Sequence, residues 1–406
     1  MNGTPPSIAV IGAGPAGLMA AEVLSAGGAA VTVYDRMPSV GRKFLMAGRG
    51  GLNLTHSEPF ETFAGRYGGA AASLRPMLDA LPPAALIAWA NGLGQETFVG
   101  SSGRVFPRTM KASPLLRAWL ARLNDQGVRF ALRHDWLGWV DDGVLRFRTD
   151  KDELVRLEPA ATVLALGGAS WPKLGSNGAW VRILEKKGIA VSPLRSANCG
   201  FTMPWSDVFR QRFAGQPLKN ASFRFDGRSV RGEATITQYG IEGGAIYALS
   251  SAIRETIQYD GNAMLEIDLR PEVSEEQLLQ RLKRPRGKDS LTNHLRKTLK
   301  LSPLEINLLR EVHGAAFVPD ATMLAKHVKH TPVNLAGVQK LDRAISTAGG
   351  ICFAALDETL MLKALPGAYA VGEMLDWEAP TGGYLLQACF ATGAFAAHAI
   401  LHKIAP

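Results

Sequence analysis

A glycine-rich turn near the start of the chain has the spacing of a nucleotide-binding loop. Gly12-Ala13-Gly14-Pro15-Ala16-Gly17 follows the apolar run Ser7–Ile11, which predicts a strand, and precedes residues 18–26, which predict a helix. The first glycine allows a tight turn, the second lets the backbone approach a pyrophosphate, and the third permits close packing of helix against strand. The N-terminus of the helix would direct unpaired N–H groups and the positive end of its dipole at the phosphates.

An acidic residue completes this unit. Residues 30–34 predict a second strand, which ends in Asp35 and Arg36. The Asp35 carboxylate would accept hydrogen bonds from the ribose hydroxyls of an adenine nucleotide. A strand, a glycine turn, a helix, a second strand and an acid within about 30 residues form the layout of a dinucleotide-binding βαβ unit. NAD and FAD both bind this unit, so the motif alone leaves the nucleotide open.

A second constellation lies near the C-terminus. Residues 367–371 predict a strand that ends in Gly372-Glu373, and Gly382-Gly383-Tyr384 open a predicted helix that continues to Ile400. An acid after such a strand can bind the ribitol hydroxyls of a flavin, and the dipole of the helix can stabilise negative charge that develops at flavin N1 and O2 on reduction. Predicted cofactor contacts at both ends of the chain imply that both ends belong to one domain and that the middle of the chain is an insertion in it.

Several elements between these regions would position them. Residues 112–126 predict a helix with one apolar side. We then expect a parallel strand and an antiparallel meander with a hairpin turn at Asp141-Asp142-Gly143, over residues 128–132, 136–140, 144–148 and 154–157. Residues 162–166 are typical of a strand buried on both faces, and they stop at Gly167-Gly168, where the backbone could touch a ligand.

The middle of the chain has different sequence patterns from the two ends. Alternating stretches within residues 195–270 predict antiparallel β structure in a small barrel or sandwich. Residues 271–319 are rich in helix signals instead. Ser274 and Ser302 are predicted N-caps, because Gln277 and Glu305 follow at the spacing of a capping box.

Length and composition exclude several classes of protein. A chain of 406 residues with 47% hydrophobic and 20% charged residues is typical of a globular protein of two or three domains. We expect no membrane span and no secretory signal, because no apolar run approaches about 18 residues and the first residues lack a basic region. The spacing of the three cysteines predicts reduced, structural thiols, so we expect a cytoplasmic protein.

The formal charge of +9 is concentrated in one segment. Residues 281–300 contain eight Lys or Arg residues and one acid, Asp289. One interpretation is a nucleic-acid-binding face, and the other is a solvated helical surface. We favour the solvated surface, because no aromatic residues alternate with the cations as a base-stacking platform would require.

Together these motifs resemble the YhiN/BaiN-like flavoproteins, a family of NAD(P)/FAD-dependent oxidoreductases of the two-dinucleotide-binding type. The resemblance covers nearly the whole chain. It is carried by Gly12–Gly17 with Asp35, and by GRKFLMAGRGGLNLT at 41–55, GRVFP at 103–107, LGGASWPKLGS at 166–176, TQYGI at 237–241, TAGG at 347–350, GEMLD at 372–376 and TGGY at 381–384. Leu52 and Leu385 stand where many relatives have Cys and Asn, which is typical of a divergent branch.

The resemblance implies an α/β fold in which a Rossmann-like FAD-binding domain is interrupted by an inserted β-barrel and a helical subdomain. The expected bounds are 1–194 and 345–406 for the FAD-binding domain, 195–270 and 330–344 for the barrel, and 271–329 for the helical insert. It also implies bound FAD, with Arg42 and Lys43 near the pyrophosphate or an anionic flavin, and Gly51, Leu52 and Asn53 near the ring. Thr55, Gln238 and Tyr239 are candidates for the substrate side, although an ordinary buried barrel tyrosine is an equally good interpretation of Tyr239.

The chemistry needs no protein nucleophile, because a flavin accepts hydride at N5. The sequence therefore leaves the catalytic acid or base open, and His327, His330, His398 and His402 lack the companions of a metal site, so we expect no metal. It contains no second Gly-x-Gly-x-x-Gly, so NAD(P)H would act as a transient reductant without its own Rossmann domain.

The leading hypothesis is an FAD-dependent oxidoreductase that transfers hydride between flavin N5 and a small organic substrate, with no nucleic-acid partner. The alternative is an FAD-binding protein that modifies or binds RNA through the basic helical insert. The sequence leaves the oligomeric state open.

Overall fold

The computed structural model describes residues 5–48, 50–140, 143–318 and 320–404. The chain divides into two compact units, Met1–Arg195 with Ser346–Pro406, and Ser196–Ile345. The expected domain bounds, and the division of the second unit into a barrel and a helical insert, stay predictions.

The first unit is built on a five-stranded parallel sheet. Its strands lie in the order Ala368–Ala370, Ala161–Leu164, Ser7–Ile11, Ala30–Asp35 and Arg129–Leu132. Val10 at the centre pairs with Val163 on one side and Val33 on the other. All three valines are buried, because a parallel sheet is covered on both faces. The order brings strands from both ends of the chain side by side, which confirms the Rossmann-like fold class.

Eight α-helices accompany this sheet in the described residues of the first unit. They are Pro15–Ala26, Arg42–Ala47, Phe60–Gly65, Ala71–Ala80, Pro83–Gly92, Ala112–Asp125, Trp180–Glu185 and Tyr384–Ile404. The three helices expected after the glycine turn, at 112–126 and near the C-terminus are all present.

The C-terminal helix of this unit is unusually apolar. Tyr384–Ile404 has 21 residues and is, among the described residues, the one helix long and apolar enough to cross a membrane; 61% of its most apolar window is buried inside the protein. The expectation that no apolar segment reaches this length overlooked it. Its burial is that of a core helix, and Pro15–Ala26 is the helix that it contacts most extensively.

Smaller sheets complete the first unit. His134–Val140, Val144–Thr149 and Leu154–Leu157 form the predicted antiparallel meander. Asp141 and Asp142 of its predicted turn lie outside the described residues. The other sheets are Thr55–His56, Arg104–Pro107 and Thr97–Val99, and Val191–Ala197 with Ser346–Ile351.

The second unit contains a seven-stranded antiparallel sheet. Its strands lie in the order Thr331–Leu335, Ala263–Asp268, Pro217–Phe225, Arg228–Ile236, Gly240–Glu242, Phe201–Thr202 and Gly337–Val338. The first and last strands of this order are separated in the chain by Ala336, whose N–H donates to the Thr202 carbonyl. The two edge strands of the sheet are therefore joined in the chain by a single residue.

Six α-helices lie in the described residues of the second unit: Asp207–Phe213, Gly244–Asp260, Glu275–Leu282, Leu291–Leu299, Pro303–His313 and Ala321–Lys329. Both predicted capping boxes, at Ser274 and Ser302, are confirmed. The assignment of residues 195–270 to β structure alone was wrong, because Gly244–Asp260 buries Ile246, Leu249 and Ile253 at helical spacing.

Candidate functional site

A cleft in the first unit is lined by residues from both ends of the chain; we call it the dinucleotide cleft. Of the residues predicted to bind the cofactor, it is lined by Gly12, Ala13, Gly14, Pro15, Ala16, Asp35, Arg36, Arg42, Lys43, Gly167, Gly372 and Glu373. The carboxyl ends of neighbouring parallel strands meet at one edge of the sheet, so residues distant in the chain converge there.

The three glycines of the first turn have different surroundings. Gly12 has a φ of +112°, and a Cβ there would lie 2.2 Å from the Ala165 carbonyl oxygen. A Cβ on Gly17 would lie 2.0 Å from the Gly12 carbonyl oxygen, whereas a Cβ on Gly14 would meet nothing within 4 Å. Gly12 and Gly17 therefore allow close packing, and Gly14 presents bare backbone to the cleft.

Asp35 is held beside this turn by backbone hydrogen bonds. Its carboxylate accepts the N–H groups of Ala13 at 2.8 Å and Met37 at 2.7 Å. Burial raises the pKa of Asp35, although these hydrogen bonds and the charges of Arg36 and Arg42 act against that rise. Asp35 lines the cleft, where a ribose hydroxyl would be a further donor to the same carboxylate.

An ion pair joins the two halves of the cleft. The Lys43 ammonium lies 2.7 Å from Glu373 Oε2 and 2.9 Å from Ser170 Oγ. Glu373 also accepts the N–H of Thr347 at 3.0 Å and that of Gly168 at 3.4 Å. Gly168 does not line the cleft; a Cβ there would lie 2.2 Å from Thr347 Oγ1. The charge of Lys43 is thus compensated by Glu373, and Arg36 and Arg42 are, among the described residues, the other arginine or lysine residues that line the cleft.

Three polar atoms in the cleft are buried and have no hydrogen-bond partner among the described residues. They are Arg42 Nε, Ser176 Oγ and Trp136 Nε1, and all three residues line the cleft. Buried polar atoms are normally hydrogen-bonded, so we expect a ligand or water to form hydrogen bonds with these atoms. Two donors and a hydroxyl match the phosphate oxygens and sugar hydroxyls of FAD, and the residues present therefore fit this cofactor.

Sequence reasoning missed several residues that line the cleft. His134, Asp135 and Trp136 come from the first strand of the meander, and Ser176 and Trp180 follow Gly167 in the chain. The GSN sequence at 175–177 is a turn signal that could have indicated Ser176. The meander residues carry no local signal, because only the pairing of the sheet brings them to the cleft.

Cys389 also lines the cleft, from the C-terminal helix. Burial, together with the charge of Glu373, raises the pKa of its thiol to about 12. The thiol therefore stays protonated at neutral pH and is a poor nucleophile.

The second glycine turn, Gly382-Gly383-Tyr384, packs against the strand Thr55–His56. A Cβ on Gly383 would lie 2.5 Å from Thr55 Cα. The Thr55 hydroxyl is fully buried and donates to Gln387 Oε1 at 2.8 Å. Thr55 thus packs against Gly383 and is bonded to Gln387, and its contact with substrate stays a prediction.

The loop before this strand contains the three residues expected near the flavin ring. Gly51 has a φ of +113°, Leu52 is fully buried, and Asn53 Oδ1 is buried without a partner among the described residues. None of the three lines the dinucleotide cleft. Asn53 carries a polar atom that a ring N–H could satisfy.

Glu58 fixes the outer side of the second glycine turn. Its carboxylate accepts the Tyr384 hydroxyl at 2.6 Å and a bidentate pair from Arg66 at 2.7 and 3.1 Å. The Tyr67 hydroxyl donates to the Tyr384 carbonyl at 2.8 Å, and the His56 ring stacks on the Tyr384 ring at 5.5 Å. Burial and the neighbouring Glu58 raise the pKa of Tyr384, so its hydroxyl stays a donor.

The remaining substrate-side candidates lie in the second unit. Gln238 is exposed, and the Tyr239 hydroxyl donates to Glu242. Burial and the Glu242 carboxylate raise the pKa of Tyr239, which therefore remains neutral. Contacts of Gln238 and Tyr239 with substrate stay predictions.

The basic segment of the second unit is largely solvated. Lys283, Arg284, Arg286, Lys288, Arg296, Lys297 and Lys300 are exposed, and Lys297 pairs with Asp289 at 2.9 Å. His327, considered for a metal, stacks on His313 with 3.6 Å between ring centroids. In the described parts of the chain, no three His, Cys, Asp or Glu residues are grouped as metal ligands.

Comparisons with known proteins match this chain over most of its length. The model of the HI0933-like protein Rossmann domain matches residues 6–399. A 3-dehydro-bile acid delta(4,6)-reductase of Clostridium scindens is 28% identical, with 98% of this chain and 99% of that protein covered. A ribosomal RNA dihydrouridine synthase of Haemophilus influenzae is 25% identical, with 93% and 94% covered. Among solved structures, a flavocytochrome c3 fumarate reductase has a TM-score of 0.55 at 15% identity, with 99% of this chain and 79% of that chain covered.

Proposed function

The chain belongs to the HI0933-like family of Rossmann-domain proteins, and from that premise we propose that this FAD-dependent oxidoreductase reduces an activated carbon–carbon double bond. The substrate is a small organic molecule whose double bond is conjugated to a carbonyl group. The observation that carries the proposal is the dinucleotide cleft, in which Gly12–Ala16 and Asp35 from the start of the chain face Gly372 and Glu373 from its end.

The reaction type is supported by what two relatives have in common. A delta(4,6)-reductase of a 3-dehydro bile acid and a dihydrouridine synthase act on very different molecules. Both names nevertheless describe the saturation of a carbon–carbon double bond, since dihydrouridine is uridine with one ring double bond reduced. A double bond beside a carbonyl accepts hydride at its β-carbon, which suits the hydride chemistry of a flavin.

The residues of the cleft would hold FAD along its length. The N–H groups at the start of the helix Pro15–Ala26 and the Arg42 guanidinium would bind the pyrophosphate, and Asp35 would accept a ribose hydroxyl. Bound FAD would supply a hydride carrier between the donor and the β-carbon of the substrate, and a proton from solvent would complete the reduction at the α-carbon. Glu373 would accept a ribitol hydroxyl, and its ion pair with Lys43 holds it in position.

The chain itself supplies orientation and a polar environment in this reaction. The Cys389 thiol stays protonated at neutral pH because burial raises its pKa to about 12, so it is a poor nucleophile. The turn Gly382–Tyr384 opens a helix of 21 residues. Its N-terminal dipole would stabilise negative charge on the pyrimidine end of the flavin ring.

We infer that NAD(P)H is a transient reductant. The sequence has no second Gly-x-Gly-x-x-Gly, so the donor would use the same face of the flavin as the substrate, and the two would bind alternately. We also place the enzyme in the cytoplasm, because the spacing of its three cysteines is that of reduced, structural thiols and not of a disulfide framework.

Anaerobic spectroscopy of the purified protein tests the proposal. NADH or NADPH should bleach the flavin band, and an enone such as testosterone should restore it, whereas its saturated ketone dihydrotestosterone should not. A protein that takes up no FAD, or whose bleached flavin is restored equally by the enone and the saturated ketone, would contradict it.

The RNA-modifying alternative is not favoured by these observations. One relative acts on a bile acid, and the exposed cations of residues 283–300 are not interleaved with aromatic rings. RNA that copurifies with the protein, together with no oxidation of NAD(P)H, would favour the alternative.

A further inference from the structure

We propose that a cavity of the second unit binds the phosphate group of a small organic molecule, and that Arg284 and Arg286 hold this group. The cavity, which we call the basic cavity, has a volume of about 300 Å³, at the lower end of the usual range for small-molecule sites. None of the described residues that line it lines the dinucleotide cleft. The inference therefore concerns a second binding site and goes beyond the proposed reductase function.

Residues of three helices and of one connecting segment line the basic cavity. The helices are Glu275–Leu282, Leu291–Leu299 and Ala321–Lys329, and the first of them contacts both of the others. Leu282 and Leu324 line the cavity and are buried between these helices. Arg284 and Arg286 belong to the segment 283–290 and are exposed. The buried part of the lining is therefore mainly apolar, and its exposed part is cationic.

The two arginines have no carboxylate partner. Neither Arg284 nor Arg286 forms an ion pair within the described part of the chain. Asp289 of the same segment pairs instead with Lys297 at 2.9 Å, and Asp320 accepts a backbone N–H as a helix N-cap. Neither acid lines the cavity. Because two positive charges without a counter-ion repel each other, an anion bound between the arginines would be stabilised.

A buried histidine adds a polar group to the lining. His294 lines the cavity and is 7% exposed. Its Nε2 lies 3.4 Å from the Leu282 carbonyl oxygen, which is long for a hydrogen bond. Its Nδ1 has no hydrogen-bond partner among the described residues. An imidazole nitrogen donates to a phosphate oxygen when it is protonated and accepts from a hydroxyl when it is not. The ring can therefore bond to a ligand that carries both groups.

Two helix dipoles make the cavity more positive. Leu291 and Ala321 line it, and each is the first residue of its helix. The N-terminus of a helix carries a partial positive charge and unpaired N–H groups, which favour an anion. Both dipoles therefore act in the same direction as the charges of Arg284 and Arg286.

The number of charges favours a phosphate monoester as the ligand. A phosphate monoester carries a charge of about −1.5 to −2 at neutral pH, which matches two guanidinium groups. A carboxylate or a phosphodiester carries a single negative charge. Guanidinium groups also bind phosphate oxygens through paired hydrogen bonds. Leu282, Leu291 and Leu324 offer apolar surface to the rest of the molecule. The expected ligand is therefore a phosphate monoester of a small ring or chain.

Two matched probes test the charge of the ligand. Phenyl phosphate and phenyl sulfate have nearly the same shape, but only the phosphate carries a second negative charge at neutral pH. Calorimetry on the FAD-loaded protein, in which the cofactor fills its own phosphate site, measures both affinities. We expect phenyl phosphate to bind about tenfold more tightly than phenyl sulfate, because the second charge is paired with the second arginine.

Charge-matched variants test the role of the arginines. The double variant Arg284→Gln with Arg286→Gln removes two charges from the lining, and we expect it to weaken phenyl phosphate binding about tenfold to a hundredfold. Lys283 and Lys288 are exposed residues of the same segment that do not line the cavity. Lys283→Gln with Lys288→Gln is therefore the control, since it removes the same net charge. It should change the dissociation constant by less than about threefold.

A blocking variant tests the location. Ala321 lines the cavity, so Ala321→Trp should fill part of it and weaken phenyl phosphate binding about tenfold. The neighbouring Thr322 is exposed and does not line the cavity, so Thr322→Trp is the matched control and should leave binding unchanged.

Several results would overturn the inference. They are no binding of phenyl phosphate, equal affinities for the two probes, an equal loss in the arginine and lysine double variants, or unchanged binding in Ala321→Trp. A short single-stranded RNA without a terminal phosphate distinguishes a second source of phosphate. If this RNA binds more tightly than phenyl phosphate and loses its affinity in the arginine double variant, the arginines belong to a nucleic-acid face, and the proposed small-molecule site is wrong.

Discussion

Replacing Glu58 with Gln should loosen the second glycine turn while keeping the shape of the side chain. The Glu58 carboxylate accepts one hydrogen bond from Tyr384 and two from Arg66. Gln offers one acceptor oxygen, and its amide group would point two N–H donors toward a guanidinium or a hydroxyl that also donates. Either Arg66 must therefore lose one of its two hydrogen bonds, or the Tyr384 hydroxyl must turn so that it accepts from the amide instead of donating.

The size of the effect follows from the burial of each contact. The side chain of Glu58 is 10% exposed and that of Arg66 is 47% exposed, so the ion pair contributes only about 0–1 kcal/mol. The Tyr384 hydroxyl is bonded to an ionised acceptor, which stabilises by about 1.5–3 kcal/mol. We expect Glu58→Gln to lower the free energy of unfolding by about 1–2 kcal/mol, because part of this hydrogen bond survives. Tyr384→Phe should cost about as much, and the double variant should cost about 1 kcal/mol less than the sum.

The dependence on pH has a definite sign. Burial alone would raise the pKa of Glu58, but the hydrogen bonds from Arg66 and Tyr384 outweigh it, and the pKa is lowered. The folded protein then binds fewer protons than the unfolded chain near pH ~4.3, the usual glutamate value. The stabilisation by Glu58 is complete above that pH and is lost as the pH falls through the lowered folded-state pKa. The difference between wild type and Glu58→Gln should therefore shrink only in acid.

Urea unfolding at neutral pH and at about pH 4 measures these quantities. Glu61→Gln is the matched control, because Glu61 is 77% exposed and, within the described part of the chain, its ion pair is with Arg75; its effect should stay within about 0.5 kcal/mol. Strict additivity of Glu58→Gln and Tyr384→Phe would refute the reasoning, since two residues joined by a hydrogen bond must show coupling. A difference from wild type that grows in acid would refute the assigned pKa shift.

Further outcomes follow from the dinucleotide cleft. Gly17→Ala should lower the free energy of unfolding by about 2–3 kcal/mol, because its Cβ would lie 2.0 Å from the Gly12 carbonyl oxygen; an unchanged urea midpoint would contradict this. Gly14→Ala should leave that midpoint nearly unchanged, since its Cβ meets no protein atom within 4 Å, but should weaken FAD binding, measured by the fluorescence of released flavin. Arg42→Met should raise the dissociation constant for FAD about tenfold to a hundredfold, and equal affinity would remove Arg42 from the phosphate site. Cys389 should be alkylated by iodoacetamide about a thousandfold more slowly than a free cysteine at pH ~8, because its pKa is raised to about 12; peptide mass spectrometry measures the rate, and rapid labelling would contradict the shift.

Some of the site was predictable because its signals are local. The sequence around Gly12–Gly17 predicts strand, turn and helix from residues within a few positions of one another, and Ser7–Ile11 and Pro15–Ala26 are observed there. The capping boxes at Ser274 and Ser302 were equally readable, since each depends on two side chains one helical turn apart. The C-terminal glycine motif has local signals of the same kind, a predicted strand before it and a predicted helix after it.

Prediction failed where local signals were mixed. The helix Gly244–Asp260 lies between β-strands, and the alternating residues on either side of it favoured β structure throughout 195–270. The helix predicted to run from Tyr384 to Ile400 is present, but the glycine, histidine and threonine within Tyr384–Ile404 hid how apolar it is. In both cases the deciding factor is burial against other elements, which a local pattern does not contain.

The amino-acid sequence by itself determined the first glycine turn and the acid that ends the second strand, because the spacing of a few neighbouring residues sets backbone geometry. Only the tertiary structure decided that Lys43 is neutralised by Glu373, 330 residues away, and that Tyr384 is held by Glu58, 326 residues away. A cavity beside Asp376 is likewise a product of the fold, since Tyr67, Gly349 and Trp377 meet there from distant segments. Hydrogen bonds and cavities depend on distances of a few ångströms in space, and these distances are fixed only when the sheet is assembled and its two chain ends lie side by side.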